Sequence, residues 1–161
     1  MLKNWFARSA LIVCLLCSSA FTCSLADLLQ QTVSTAPATN SAQSDLNAQI
    51  QAVIDANLEA SRTEDIAAYM LTIHPDSPAY SMTESTLVSV FATYDLDYSV
   101  VLSDVTLLDN GDASVPFVLT TKRVGGAAFR DNEVTGVFVL RLDGAAWKVY
   151  SQGIQNVRYL T

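Results

Sequence analysis

Apolar residues recur at helical spacing from Ser44 onward. Leu46, Ile50, Val53, Ile54 and Leu58 fall on one face, and Ser44 stands where an N-cap would. Asn57 shares that face, four residues after Val53 and seven after Ile50. A second, shorter helix is predicted from Thr63. Glu64 and Asp65 would sit at the positive end of its dipole, Ile66, Tyr69, Met70 and Ile73 would form its buried face, and Pro75 would stop it. Ser81-Met82-Thr83-Glu84 has the form of a capping box, opening a third helix that buries Leu87, Val88, Phe91 and Tyr94. After Tyr94 the period switches to two. Strands are predicted over 97–108, 113–123, 132–142 and 147–160, with turns at 109–112 and 143–146 and a loop at 124–131. Pro116 lacks a donor, which assigns it to an edge or a bulge. Three helices followed by four antiparallel strands make an α+β domain.

The N-terminal residues follow a different pattern. Lys3 and Arg8 precede an apolar run, and Ser24 and Ala26 offer small side chains at the −3 and −1 positions of a cleavage site. Residues 1–26 therefore read as a signal peptide and the protein as exported, periplasmic or secreted. The run is too short for a comfortable membrane span, which needs roughly 20 residues, so no stable span is expected after cleavage. Lipoprotein anchoring at Cys23 is the lesser alternative, because "AFTC" poorly matches the usual small-residue box. Residues 27–43, rich in Ser, Thr, Ala and Gln, read as a flexible tether, and 44–161 as the folded domain.

Removing the signal changes composition and charge. All three cysteines (Cys14, Cys17, Cys23) lie within it, leaving an exported domain that cannot form a disulfide and must rely on its core. Nine basic and 16 acidic residues give the chain a net charge of −7, and loss of Lys3 and Arg8 takes it to −9. That balance opposes phosphate backbones and anionic lipid, so nucleic acid is not an expected partner.

Near the end of the chain Leu140-Arg141-Leu142-Asp143-Gly144 leads into Trp147-Lys148-Val149. Asp143-Gly144 supplies a tight turn, and alternation lets Phe138, Leu140, Trp147 and Val149 share one face. With the element order, "TGVFVLRLDGAAWKVY" resembles the nuclear transport factor 2-like, or SnoaL-like, superfamily over about residues 44–160. The resemblance implies a cone-shaped, cystatin-like fold in which a curved antiparallel sheet wraps three N-terminal helices. It leaves function open, since the superfamily holds isomerases, dehydratases, hydrolases and cargo binders.

In such a cone the pocket opens between the helices and the concave sheet face, which makes Asn57, Tyr69, Tyr94 and Tyr98 the candidate ligand-binding residues. Each also has a structural reading: core aromatics with rim hydroxyls, and a buried amide that needs partners in any case. "HPDSPAY" (74–80) holds the chain's only histidine, with Asp76 two places on. His74 and Asp76 could act as a general acid–base pair. The same residues also suit a stiff corner, where Pro75 holds His74 out of helical geometry and Asp76 accepts backbone donors. The resemblance places Asp76 near the base position of ketosteroid isomerases. Residues 45–60, however, contain no tyrosine to stabilise the oxyanion. An Asp–Arg–Asp constellation of the related epoxide hydrolases would need Asp76 with Arg123 and Arg130, and no spacing demands it. One histidine and no cysteine in the mature chain argue against a zinc site, and no cofactor fingerprint is present.

The reading favours a non-catalytic exported domain that binds a small apolar ligand or a protein partner in the cone. The alternative is a lyase, isomerase or hydrolase using Asp76 and His74. Val137, Val139 and Tyr150 alternate against the core-facing residues of their strands, and a single cone would leave them bare on the convex face. A homodimer through that face is expected.

Overall fold

The computed structural model describes residues 37–161. The predicted signal peptide, Cys23 and the first ten residues of the tether lie outside them. Helix α1 (Pro37–Arg62) is followed by α2 (Ile66–Leu71) and α3 (Tyr80–Phe91). Five strands come next: β1 (Tyr94–Leu102), β2 (Thr106–Leu107), β3 (Ala113–Gly126), β4 (Asn132–Asp143) and β5 (Ala146–Tyr159). The sheet is antiparallel in the order β1-β3-β4-β5, with β2 paired to the start of β3. Three helices against a curved antiparallel sheet give the α+β cone that the sequence implied.

Helix α1 starts earlier than predicted. Pro37 occupies a first-turn position, where a missing N–H costs nothing, and residues 37–43, assigned to the tether, are helical. Ser44 is thus inside the helix and caps nothing. Ile50, Ile54 and Leu58 are buried, while Leu46 and Val53 flank the core. The helix ends in a Schellman arrangement: Asp65 N–H reaches Ala60 O at 2.9 Å and Glu64 N–H reaches Ser61 O at 3.4 Å. Glu64 takes the left-handed position (φ 56°) usually given to glycine. Helix α2, predicted from Thr63, begins instead at Ile66, and Asp65 caps it by accepting from Ala68 N–H at 2.9 Å.

Further expectations are corrected. No capping box opens α3. The helix begins at Tyr80, so Ser81 is already inside it, and Ala79 makes no side-chain cap. Leu87 is its buried residue, whereas Val88 is 56% exposed and Tyr94 belongs to β1. The long strand expected over 97–108 is broken at 103–105. Pro116 supplies the reason. It lies in interior strand β3, not at an edge, but β1 pairing stops at Leu102↔Phe117 and β2 pairing starts at Thr106↔Ser114. The missing donor therefore falls opposite the gap, where Ser103 N–H donates to Pro116 O at 2.9 Å.

The core forms between α1 and the concave face. Ala113, Val115 and Phe117 of β3 pair with Leu140, Phe138 and Gly136 of β4, placing the apolar sets side by side. Phe117 and Phe138 stack with centroids 4.1 Å apart. A two-residue turn at Gly144-Ala145, with Gly144 at φ 62°, brings β5 back against β4. Val149 and Trp147 there meet Leu140 and Leu142.

Candidate functional site

Two positions prepare the concave face. Gly136 leaves room for the Phe117 ring, since a Cβ there would lie 2.8 Å from Phe117 Cζ. Tyr150 is the extra residue of a β-bulge, because Leu140 pairs with Val149 while Val139 pairs with Ser151. The bulge shifts side-chain parity by one. Gln152 consequently lies opposite Phe138, on the same face as Val149.

Between α1, the short helices and this face lies a cavity of about 110 Å³. Leu58, Leu87, Val90, Phe91, Leu119 and Phe138 form its apolar walls, and Asn57, Ser61, Tyr69, Tyr98 and Gln152 supply its polar groups. Asn57 is buried and donates to Thr72 Oγ1 at 2.7 Å, while Thr72 in turn donates to Tyr69 O at 2.6 Å. Ser61 Oγ donates to Asn57 O at 2.9 Å. These bonds tie α1 to the end of α2 and hold the amide at the cavity wall. Burial pushes the Tyr69 hydroxyl above its ordinary pKa, against an opposing hydrogen bond from Asn57. Burial also raises Tyr98, with Tyr69 and Glu64 adding to the effect. Both tyrosines therefore stay neutral donors near neutral pH.

The structure brings Asn57, Tyr69 and Tyr98 together on this cavity and places the other candidates elsewhere. Tyr94 packs edge-on against Phe129 at 5.7 Å. Asp76 is exposed and absent from the lining. His74 is only 5% exposed but belongs to a different cluster. Ile73 forms a parallel bridge with Val149 at the outer edge of β5, secured by Val149 N–H to Thr72 O (2.8 Å) and His74 N–H to Val149 O (2.9 Å). Ile73 thus joins the core with Val149, and alternation turns His74 to the opposite side. There its Nδ1 accepts from Asp76 N–H at 3.1 Å, and its ring meets the Tyr150 ring edge-on at 5.9 Å. Asp76 meets the histidine through its backbone. No carboxylate–imidazole bond forms between them.

Tyr150 also carries the Arg141 guanidinium over its face at 3.7 Å. Arg141 grips buried Asp112 with two hydrogen bonds of 2.8 Å, and Asn110 adds a third at 2.9 Å. Sequence reasoning missed this pair, whose members lie 29 residues apart. The Arg141 guanidinium holds the Asp112 carboxyl below its ordinary value, more than desolvation raises it. A depressed carboxyl stabilises the fold above its unfolded-state pKa, and that contribution is lost as pH falls through the folded-state value. Wild-type thermal stability should accordingly drop as pH falls below about 3.8, the ordinary carboxyl value. Asp112→Asn should be less stable at neutral pH and lose that part of the acid slope. Superimposable acid profiles for the two proteins would contradict this assignment.

Among the described residues no group of His, Cys, Asp and Glu could hold a metal ion. No helix among them is long and apolar enough to cross a membrane.

Comparison with solved structures gives the class. A ketosteroid isomerase-like protein from Erwinia carotovora atroseptica superposes with a TM-score of 0.53 at 22% identity, over 65% of this chain and 91% of that one. An NTF-2 like protein of unknown function from Shewanella oneidensis gives a TM-score of 0.58 at 12% identity, over 68% and 98%. A protein of unknown function with a cystatin-like fold from Nostoc punctiforme gives 0.50 at 14%, over 67% and 88%. At these identities the likeness speaks for the fold, which is that of the nuclear transport factor 2-like superfamily. More narrowly, the family model for the C-terminal domain of anti-sigma-I factor RsgI9 matches residues 52–160, and the chain belongs to that family. No curated protein matches it in sequence.

Proposed function

We propose that this chain is an exported, non-catalytic nuclear transport factor 2-like domain that binds a small neutral ligand in its cone. One observation carries the reading: the cavity lining contains no Asp, Glu, His, Lys or Arg, and His74 and Asp76 lie outside it. A general base must accept a proton at working pH, and Tyr69 and Tyr98, whose pKa burial raises, stay protonated there. The tyrosines and Asn57 can orient a ligand but have no base beside them. A thermal-shift screen of neutral small molecules tests the proposal. Compounds that raise the melting temperature should do so equally with Asp76→Asn, and turnover of any of them that Asp76→Asn abolishes would refute it.

The proposal includes export, for which the basic, apolar and small-residue sequence of 1–26 is the support. Mass spectrometry of the exported protein should find a start at or beside Asp27; intact Met1 in that fraction would count against it. It also includes a homodimer through the convex sheet face. Val101 pairs with Val118 and Pro116 with Val137, forming with Val139 an apolar patch opposite the core-facing residues, and Val101 is 69% exposed. Burying such a patch between two copies is favourable by about 25 cal/mol per Å² of apolar area. Tyr150, assigned to this patch by the sequence, is instead half-buried under Arg141 and beside His74. Sedimentation should show a dimer at micromolar concentration that Val139→Glu converts to monomer; an unchanged dimer in that variant would exclude this face.

A further inference from the structure

The inner cavity is smaller than the roughly 300 Å³ at which ligand pockets usually begin, but it does not stand alone. A second cavity of about 220 Å³ lies between the "HPDSPAY" corner, the start of α3 and β5. Tyr69 and Gln152 line both cavities, which therefore adjoin at these two residues. Tyr69 is half-buried on α2. Gln152 is exposed, and its amide has no hydrogen-bond partner among the described residues.

The two chambers differ in chemistry. Side chains of Leu, Val and Phe dominate the inner one, whereas Ser77, Thr83, Tyr150, Ser151 and Gln152 bring hydroxyls and an amide to the outer one. Neither lining contains a charged residue. A buried ligand charge would find no counter-ion in either, and an unpaired buried charge is far costlier than a hydrogen-bonded neutral group. We infer that the two chambers form one site with Gln152 as its movable partition. The site takes a neutral amphiphile whose apolar body fills the inner chamber and whose hydroxyl- or carbonyl-bearing end lies against "HPDSPAY" and β5. This rests on the binding reading above and adds an outer subsite, a ligand class and a role for Gln152. It also gives the "HPDSPAY" corner a function: its Ser77 and Ala79 line the outer chamber.

Two probes separate this inference from the reading beneath it. Phenol needs only the inner chamber. The two-ring neutral ketone prodan is long enough to need both, and anilinonaphthalene sulfonate is its anionic comparator. With the full chain, prodan emission should shift to the blue and saturate, while the sulfonate should bind at least roughly tenfold more weakly. Thr83→Phe and Ser77→Leu, each filling the outer chamber from a different element, should weaken prodan roughly tenfold and leave phenol affinity within about twofold. Phenol affinity also reports that each variant is folded. Gln152→Ala should tighten prodan by a few-fold. Phenol binding without prodan binding would overturn the two-chamber site while sparing the inner pocket. Unchanged prodan affinity in both filling variants, or equal affinity for the sulfonate, would overturn it as well. Failure of both phenol and prodan would remove the binding reading and this inference together.

Discussion

Leu140→Ala should destabilise the fold by about 2–5 kcal/mol, the range for truncating a fully buried leucine. Leu140 is 0% exposed, pairs with Ala113 on one side and Val149 on the other, and lies on the face that α1 covers. The neighbours are held by two hydrogen-bonded strands, so the cavity cannot easily collapse and the cost should fall in the upper half of that range. Chemical denaturation measures it: the midpoint should move while the slope with denaturant stays the same. A loss below about 1 kcal/mol would mean that the face is repacked or solvated, contrary to this core.

Gly136→Ala should also destabilise, although it adds a single methyl group. A glycine-to-alanine change at a compatible site stabilises by about 0.4–1 kcal/mol through the unfolded chain. Here the new Cβ would press against the Gly153 carbonyl oxygen and lie 2.8 and 2.9 Å from Phe117 Cζ and Cε1. Phe117 is itself stacked on Phe138, and a backbone carbonyl has no rotamer to move into. Overpacking of this kind costs about 1–3 kcal/mol or more, so the clash outweighs the entropy gain and a net loss of about 2 kcal/mol is expected. Thermal or denaturant unfolding of the variant decides the sign, and a more stable Gly136→Ala would show that the strands can separate at this point.

Much of this fold is legible in the sequence because its core obeys simple periods. Ile50, Ile54 and Leu58 on α1 keep helical spacing, and Phe138, Leu140 and Val149 keep their predicted face. What escaped is where local geometry breaks the period. Pro116 was legible as a missing donor, but the split of the first strand opposite it required the register. The bulge at Tyr150 is invisible in "WKVYSQGI", yet it alone carries Gln152 onto the concave face. Strict alternation from Val149 would place it on the other. The candidate site divides in the same way. Asn57 and Tyr69 lie on helices, where spacing predicts facing, and the structure puts them on the cavity. "HPDSPAY" lies in a corner, where spacing predicts nothing. Its histidine turns away because Ile73 takes the core position beside Val149. The Arg141–Asp112 pair, closing a stack with Tyr150 and His74, depends on contacts far apart in the chain and leaves no local signature.

In the proposed function the cone binds a neutral small molecule through Asn57 and the tyrosines, without help from His74 and Asp76. Calorimetric titration of phenol into wild type, Asn57→Leu and the double variant His74→Ala/Asp76→Asn decides whether it does. Asn57→Leu removes a hydrogen-bond partner from the cavity wall and should weaken binding roughly tenfold. The double variant, although less stable, should bind within about twofold of wild type at a temperature where it is folded. The opposite pattern, with affinity kept by Asn57→Leu and lost in the double variant, would contradict the account and move the site to the "HPDSPAY" corner.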